Sequence, residues 1–219
     1  MKLRIKNLIK NNLVIILLCF GIFFLRTAIA DWNPVPSGSM EPTIYPGDVL
    51  LVNKTLLGPS IPFTDFRLFF LDSPKRGDII TFYPPLSGDD YVQFVKRVIG
   101  IPGDTIRVEG VRVYVNGKEL PLTLDYDSQS ADKLTGEETI GAVHHEIQVD
   151  PRRGIVGLEG EITVPPHKYF VMGDNRNNSE DSRFWGFVDE DKIIGKVTRI
   201  AVSIADERPL KDRFAHKIN

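Results

Sequence analysis

Gly77-Asp78-Ile79-Ile80-Thr81-Phe82-Tyr83 places a turn signal directly before a run of β-branched and aromatic residues, an order that predicts a strand entered through a tight turn. The same arrangement recurs at Gly47-Asp48 before Val49-Leu50-Leu51-Val52 and at Gly103-Asp104 before Thr105-Ile106-Arg107-Val108. Three turn-then-strand units predict a mainly β, antiparallel fold. Tyr91 to Ile99 predicts another strand, and Val111 to Val115 followed by Asn116-Gly117 carries the short-range signal of a hairpin. Strand-like sequence resumes at Glu161 to Val164 and from Ile193 to Ile204, around a polar, Gly-bounded turn from Gly173 to Gly186. Residues 125–160 are polar with few apolar pairs, which predicts an inserted ribbon or loop subdomain lying outside the core. The β-domain is thus expected in two parts, 31–124 and 161–219, the second ending in a C-terminal tail.

The 219 residues, 42% of them hydrophobic, are enough for a real core. A formal net charge of -2, from 27 basic and 29 acidic side chains, gives no global field for nucleic acid or anionic lipid. Attachment to a bilayer has to be local, and one local feature is present. Lys2, Arg4, Lys6 and Lys10 precede an uncharged apolar run from Leu13 to Leu25, followed by Arg26 and Thr27-Ala28-Ile29-Ala30. A cleavable signal peptide ending in Ala-x-Ala is one reading. The other is one retained transmembrane helix within residues 1–30, with Arg26 snorkelling and Trp32 at the headgroups, extending the run toward the ~30 Å hydrocarbon core. Both hold the N-terminus in the cytoplasm and send the rest across the membrane. The only cysteine, Cys19, lies in the apolar run, so no intramolecular disulfide forms and packing must hold the exported domain.

Two prolines and a glycine around two serines in Pro36-Ser37-Gly38-Ser39-Met40-Glu41-Pro42-Thr43 force a shaped, non-helical loop that holds a hydroxyl beside backbone N–H groups, or else a plain linker. The four histidines offer little to activate a hydroxyl: His144 and His145 lie in the polar excursion, His216 near the end, and His167 in a Pro-rich turn. Adjacent histidines on a strand face opposite ways, so they also make a poor metal site, and no cofactor is expected. In the strand Tyr91-Val92-Gln93-Phe94-Val95-Lys96-Arg97-Val98-Ile99, Val92, Phe94, Lys96 and Val98 share one face, with Arg97 on the other, more polar face. Lys96 is the one charge on an apolar face. A lysine of ordinary pKa about 10.4 is protonated at neutral pH, but burial lowers that value by up to about 3 to 5 units and makes a usable base. The bland alternative is a lysine that snorkels to solvent. Met172-Gly173-Asp174-Asn175-Arg176-Asn177-Asn178-Ser179-Glu180-Asp181-Ser182-Arg183-Phe184-Trp185-Gly186 reads either as a solvated, charge-rich loop or as a folded loop held by an Asp181–Arg183 ion pair, with Ser179 free to hydrogen-bond an amine.

Together these segments resemble the type I signal peptidases, membrane-bound Ser-Lys proteases that remove signal peptides from exported proteins. The resemblance spans most of Pro34 to Ile204 and rests on the Pro36 to Thr43 block, Lys75-Arg76-Gly77-Asp78-Ile79, Val95-Lys96-Arg97-Val98-Ile99-Gly100-Ile101-Pro102-Gly103-Asp104, and Gly173-Asp174-Asn175-Arg176 through Trp185-Gly186, in the family's order. It implies Ser39 as nucleophile, Lys96 as general base, and an oxyanion hole from the Ser39 N–H and the Ser37 hydroxyl. It implies that Ser179 orients the amine, that Asp181 and Arg183 form a supporting ion pair, and that Met40, Phe94 and Val95 wall the substrate pockets. The implied substrate is a preprotein signal peptide lying extended beside the sheet and cut after Ala-x-Ala. The lipid bilayer and the secretion translocon are the implied neighbours, and the implied location is the plasma (inner) membrane, single-pass, with the catalytic domain on the extracytoplasmic side. The resemblance favours a retained anchor, with self-cleavage after Ala30 as the alternative. Asn177 stands where the family usually has an acidic residue, and one membrane segment stands where many Gram-negative members have two.

Two rival readings keep different functions. A conjugation or pilin maturation peptidase would use the same chemistry on one narrow substrate. A non-catalytic exported binding domain would leave Ser39 and Lys96 as ordinary residues, and the presence of both argues against it. A self-cleaving repressor shares the Ser-Lys pair but carries a DNA-binding helical domain where this chain has an apolar run.

Overall fold

The computed structural model describes residues 12–15, 17, 18, 20, 21, 30–55, 58, 72–85, 92–125, 133–154, 157, 158 and 160–203. Most of the expected transmembrane segment therefore lies outside the described residues. Of its described residues, 12–15, 17, 18, 20 and 21 are helical and expose Leu13, Val14, Ile15, Leu17, Leu18 and Phe20, whereas Ala30 already opens a strand and is not part of a helix. Among the described residues, no helix is long and apolar enough to cross a membrane.

The rest is built of strands. A seven-stranded antiparallel sheet has the order β1-β2-β14-β3-β4-β12-β13, from β1 (Ala30–Pro34), β2 (Asp48–Asn53), β3 (Ile79–Phe82), β4 (Phe94–Gly100), β12 (Lys168–Met172), β13 (Val188–Asp189) and β14 (Ile193–Ser203). Four strands, β5 (Thr105–Glu109), β6 (Arg112–Val115), β7 (Lys118–Glu119) and β11 (Glu161–Thr163), form a second sheet in the order β11-β5-β6-β7. The third has the order β10-β9-β8, from β8 (Leu122–Asp125), β9 (Leu134–Ile140) and β10 (Val143–Val149).

All three Gly-Asp signals are the same turn. In Tyr45-Pro46-Gly47-Asp48, Lys75-Arg76-Gly77-Asp78 and Ile101-Pro102-Gly103-Asp104 the glycine takes φ of 90, 89 and 89°, the positive φ that a type II turn demands at its third residue. The aspartate N–H donates to the carbonyl of the first residue at 3.1, 3.0 and 3.0 Å. The aspartate Oδ2 accepts that residue's N–H at 2.9, 3.0 and 3.0 Å. Each motif thus closes a reciprocal hydrogen-bonded ring that aims the chain into β2, β3 or β5.

Alternation then sets the core. Leu50, Val52, Ile79, Val197 and Ile200 pack with Val35, Met40 and Ile44 beneath the Ser37 to Thr43 loop. Ile80, Phe82, Val98, Tyr169 and Val171 fill the opposite face. Ile99, Ile106, Val108, Val113 and Phe170 join the seven- and four-stranded sheets.

Several expectations need correction. Arg97 is not on a polar face: it is fully buried, because Asp174 meets its guanidinium. The 125–160 stretch is not free of core, since β9 and β10 pair in full register and Ile140 enters the apolar cluster with Ile106 and Phe170. Lys168–Met172 is a strand that the sequence reading passed over, although four of its five residues are buried. Regular strand in β4 begins at Phe94 rather than Tyr91.

Gly77 and Gly103 separate two effects. Both hold a φ that costs an L side chain about 1–2 kcal/mol, but a Cβ at Gly77 would also meet the Val143 side chain at 2.8 Å, whereas nothing lies within 4 Å at Gly103. Gly77→Ala is expected to lower the urea unfolding free energy by more than Gly103→Ala. Equal losses would show that Val143 yields without cost.

Candidate active site

β4 carries two adjacent cations to opposite faces. On one, Lys96 is 4% exposed and its Nζ donates to Ser39 Oγ at 2.6 Å. This is its one hydrogen bond among the described residues, and no carboxylate lies within ion-pair distance. Burial lowers the Lys96 pKa to about 8, against the opposing pull of the Asp181, Asp174 and Glu180 charges. On the other face, Arg97 makes a bidentate pair with Asp174, Nε to Oδ1 at 2.8 Å and Nη2 to Oδ2 at 2.7 Å, and Nη1 reaches the Gly77 carbonyl at 2.9 Å. Burial pushes the Asp174 carboxyl up, but the Arg97 guanidinium overrides it and holds the pKa below the usual range.

Asp174 starts the segment that holds the serine loop. Its Oδ2 accepts from Thr43 Oγ1 at 2.6 Å. The next residue, Asn175, donates its N–H to the Ser39 carbonyl at 3.1 Å and its Nδ2 to the Gly38 carbonyl at 3.0 Å. Gly173 precedes both, and a Cβ there would fall on the Ser39 carbonyl oxygen and the Ser179 hydroxyl. Only glycine permits that approach. The buried cluster extends to Glu138, which pairs with Arg176 at 2.9 Å and lies 3.3 Å from His145 Nε2. Burial opposes its ionisation, yet the Arg176 charge brings the Glu138 pKa down to about 2.

Asp181 pairs with Arg183, Nε to Oδ1 and Nη2 to Oδ2 both at 2.8 Å, inside the folded protein. It also caps the short helix Ser182–Trp185 and accepts the Gly173 N–H at 3.0 Å. Ser179 donates its hydroxyl to Asp181 Oδ2 at 2.8 Å and makes no hydrogen bond to Lys96 in this structure. Ser37 is exposed at the mouth.

Ser37, Ser39, Met40, Phe94, Val95 and Lys96 all line one cleft of about 820 Å³. One wall is β1 and the serine loop, and the other is the start of β4. β3 pairs residues 94–97 of β4, but β12 begins its pairing only at Arg97. Residues 94–96 therefore have no strand partner on the β12 side among the described residues.

The sequence reading singled out Ser39, Lys96, Ser179, Asp181 and Arg183, and the fold gathers them. It assigned no part to Asp174, Asn175, Glu41 or Gln148. The visible signal was the unbroken run Gly173-Asp174-Asn175-Arg176, four residues that alternate between close backbone approach and buried polar contact.

A buried amine in contact with a serine hydroxyl, at the floor of a cleft with an open strand edge, is the equipment of a serine endopeptidase. The chain belongs to the signal peptidase family, peptidase S26, whose model matches residues 5–202; these are serine endopeptidases that remove signal peptides from exported precursors. It is similar to signal peptidase I of Pseudomonas fluorescens, 35% identical over 84% of this chain and 69% of that one. Signal peptidase I of Pseudomonas aeruginosa is 34% identical over 86% of this chain and 70% of the relative. A solved signal peptidase I from Enterococcus faecalis V583 shares 32% identity, with a TM-score of 0.38, over 58% of this chain and 98% of that one.

Asp174→Ala would leave the Arg97 guanidinium buried without the carboxylate that faces it, a change that typically costs about 3–5 kcal/mol. Urea unfolding of this variant is expected to show a loss of that size, and a loss below about 1 kcal/mol would mean that Arg97 escapes to water.

Proposed function

We propose that this chain removes N-terminal signal peptides from exported preproteins by a Ser39–Lys96 dyad, cutting after small residues in an Ala-x-Ala pattern. The observation that carries the reading is the 2.6 Å contact between Lys96 Nζ and Ser39 Oγ in a buried setting. In its neutral form the amine accepts the Ser39 proton as Oγ attacks the scissile carbonyl. Collapse of the tetrahedral intermediate expels the new N-terminal amine, which takes a proton from Lys96, and leaves an acyl-Ser39. Water, deprotonated by Lys96, then releases the signal peptide and regenerates the hydroxyl. The Ser39 N–H and the Ser37 hydroxyl stabilise the oxyanion; one such donor is typically worth about 3–4 kcal/mol. Asp181 and Arg183 hold Ser179 beside the dyad, and Ser179 turns toward the amine once the proton has moved.

The unpartnered side of residues 94–96 supports a substrate that adds as a strand between β4 and the serine loop. Alternate substrate side chains then enter shallow apolar pockets walled by Met40, Phe94 and Val95, which take small residues. The basic residues before Leu13 and the exposed Leu13, Val14, Ile15, Leu17, Leu18 and Phe20 support a single-pass anchor in the plasma (inner) membrane with a cytoplasmic N-terminus. Such an anchor confines the site to the bilayer surface, where cleavage sites emerge from the translocon. The division into an anchor (1–30), a catalytic β-domain (31–124 and 161–219) and an inserted subdomain (125–160) belongs to the same reading, supported by the β9–β10 hairpin, which lies wholly within 125–160.

Purified full-length chain in detergent is expected to cut a preprotein bearing Ala-x-Ala after the final Ala, as located by mass spectrometry. Ser39→Ala, Lys96→Ala and Lys96→Arg are each expected to abolish the cut while keeping the parent's circular dichroism. Cleavage retained by any of the three would sink the dyad. Because the neutral amine is the active form, kcat/KM is expected to rise with pH through about 8 and level off above it. A profile that falls across that window would assign the titration to another group.

A further inference from the structure

Gly38 and Ser39 are joined by the peptide whose N–H belongs to Ser39, and that N–H makes no hydrogen bond among the described residues. A trans peptide points its N–H opposite to its carbonyl, so whatever fixes the Gly38 carbonyl aims the Ser39 N–H. Two donors fix it: the Glu41 N–H at 3.1 Å and Asn175 Nδ2 at 3.0 Å.

Glu41 does more than close this turn. Its side chain folds back over the Gly38 Cα, where a Cβ would collide with the carboxylate. The residue is only 8% exposed. Its Oε2 accepts Lys133 Nζ at 3.2 Å and Gln148 Nε2 at 3.3 Å, so both donors lie on the third sheet or at its entry. Gln148, on β10, also engages the segment on the loop's other flank: its N–H donates to the Asp174 carbonyl at 2.9 Å, and its carbonyl accepts the Arg176 N–H at 2.8 Å. One residue of β10 therefore meets both holders of the Gly38 carbonyl, the Glu41 side through its amide and the Asn175 side through its backbone.

We propose that Glu41 is a positioning residue for acyl transfer, through which the β8–β10 sheet locks the peptide between Gly38 and Ser39 so that the Ser39 N–H faces the developing oxyanion. The inference rests on the assignment of Ser39 as nucleophile. It gives the inserted sheet a task at the reacting centre: it braces the serine loop from behind while the substrate occupies the front. An oxyanion donor misplaced by a fraction of an ångström loses its preference for the transition state, whereas binding of the ground state is little affected.

The test uses full-length protein in detergent and p-nitrophenyl acetate. Ser39 Oγ displaces p-nitrophenolate, Lys96 takes the serine proton, and an acid quench traps the acetyl group on Ser39 for mass spectrometry before water hydrolyses it to acetate. Glu41→Ala is expected to slow acetylation by about tenfold or more with an unchanged half-saturating ester concentration. Glu41→Gln, which keeps an acceptor of the same reach, is expected to stay within about threefold of the parent. The double variant Lys133→Ala/Gln148→Ala, which leaves Glu41 in place, is expected to reproduce the loss. Parental acetylation rates in Glu41→Ala or in the double variant would overturn the proposal. So would a loss matched by the unfolded fraction in a thermal melt and not recovered by Glu41→Gln. A parent that acetylates Ser39 but leaves an Ala-x-Ala preprotein uncut would refute the substrate assignment alone, and a parent that cannot be acetylated at Ser39 would refute both.

Discussion

The constraint on which the rest depends is the burial of two neighbouring cations on β4 with opposite treatment. Arg97 receives a full bidentate carboxylate, whereas Lys96 receives only a hydroxyl. Guanidinium cannot shed its proton, so its burial demands a counter-charge. The ammonium has another route, since it releases a proton and removes the cost of burial. One strand thereby carries an anchor and a titratable amine on adjacent residues. The anchor has a reach of its own, because the carboxylate that neutralises Arg97 belongs to the segment that hydrogen-bonds the Ser39 carbonyl.

The polar cluster around that segment is costly in isolation and affordable only because it is complete. Arg97, Asp174, Arg176 and Glu138 alternate in sign, and all are buried. Each carboxylate has its guanidinium, which is why both keep depressed pKa values despite burial. A network of this kind adds less to net stability than to register, because a shifted loop would strand a charge in the interior. The loop it fixes is the one that carries Ser39.

The outline of the fold was legible because its turns are chemical signatures. A glycine forced to positive φ and an aspartate that closes the ring leave a mark in three separate places, and alternation beyond each mark predicts the strand. Lys96 was legible for the same reason, as a charge out of step with Phe94 and Val98. Arg97 was misread because its partner is 77 residues away in sequence, and a face that looks polar alone becomes interior once Asp174 arrives. The 125–160 stretch hid its core because Glu138 and His145 are polar by type and buried only through neighbours on other elements. Glu41 was invisible: its side chain meets Gln148 and Lys133, which nothing in the local sequence links to it.

The position of β14 has a consequence for when this protein becomes what it is. β2 follows the Ser39 loop on one flank, while β3 leads into the strand of Lys96 on the other, and within the sheet the two flanks meet only through β14. That strand is the last of the described elements to leave the ribosome. Until it arrives, the hydroxyl and the amine belong to two half-sheets with no common ladder, and closing them requires contacts across most of the chain, a slow, late step. Chain order alone thus delays the meeting of the Ser39 hydroxyl and the Lys96 amine until β14 is in place.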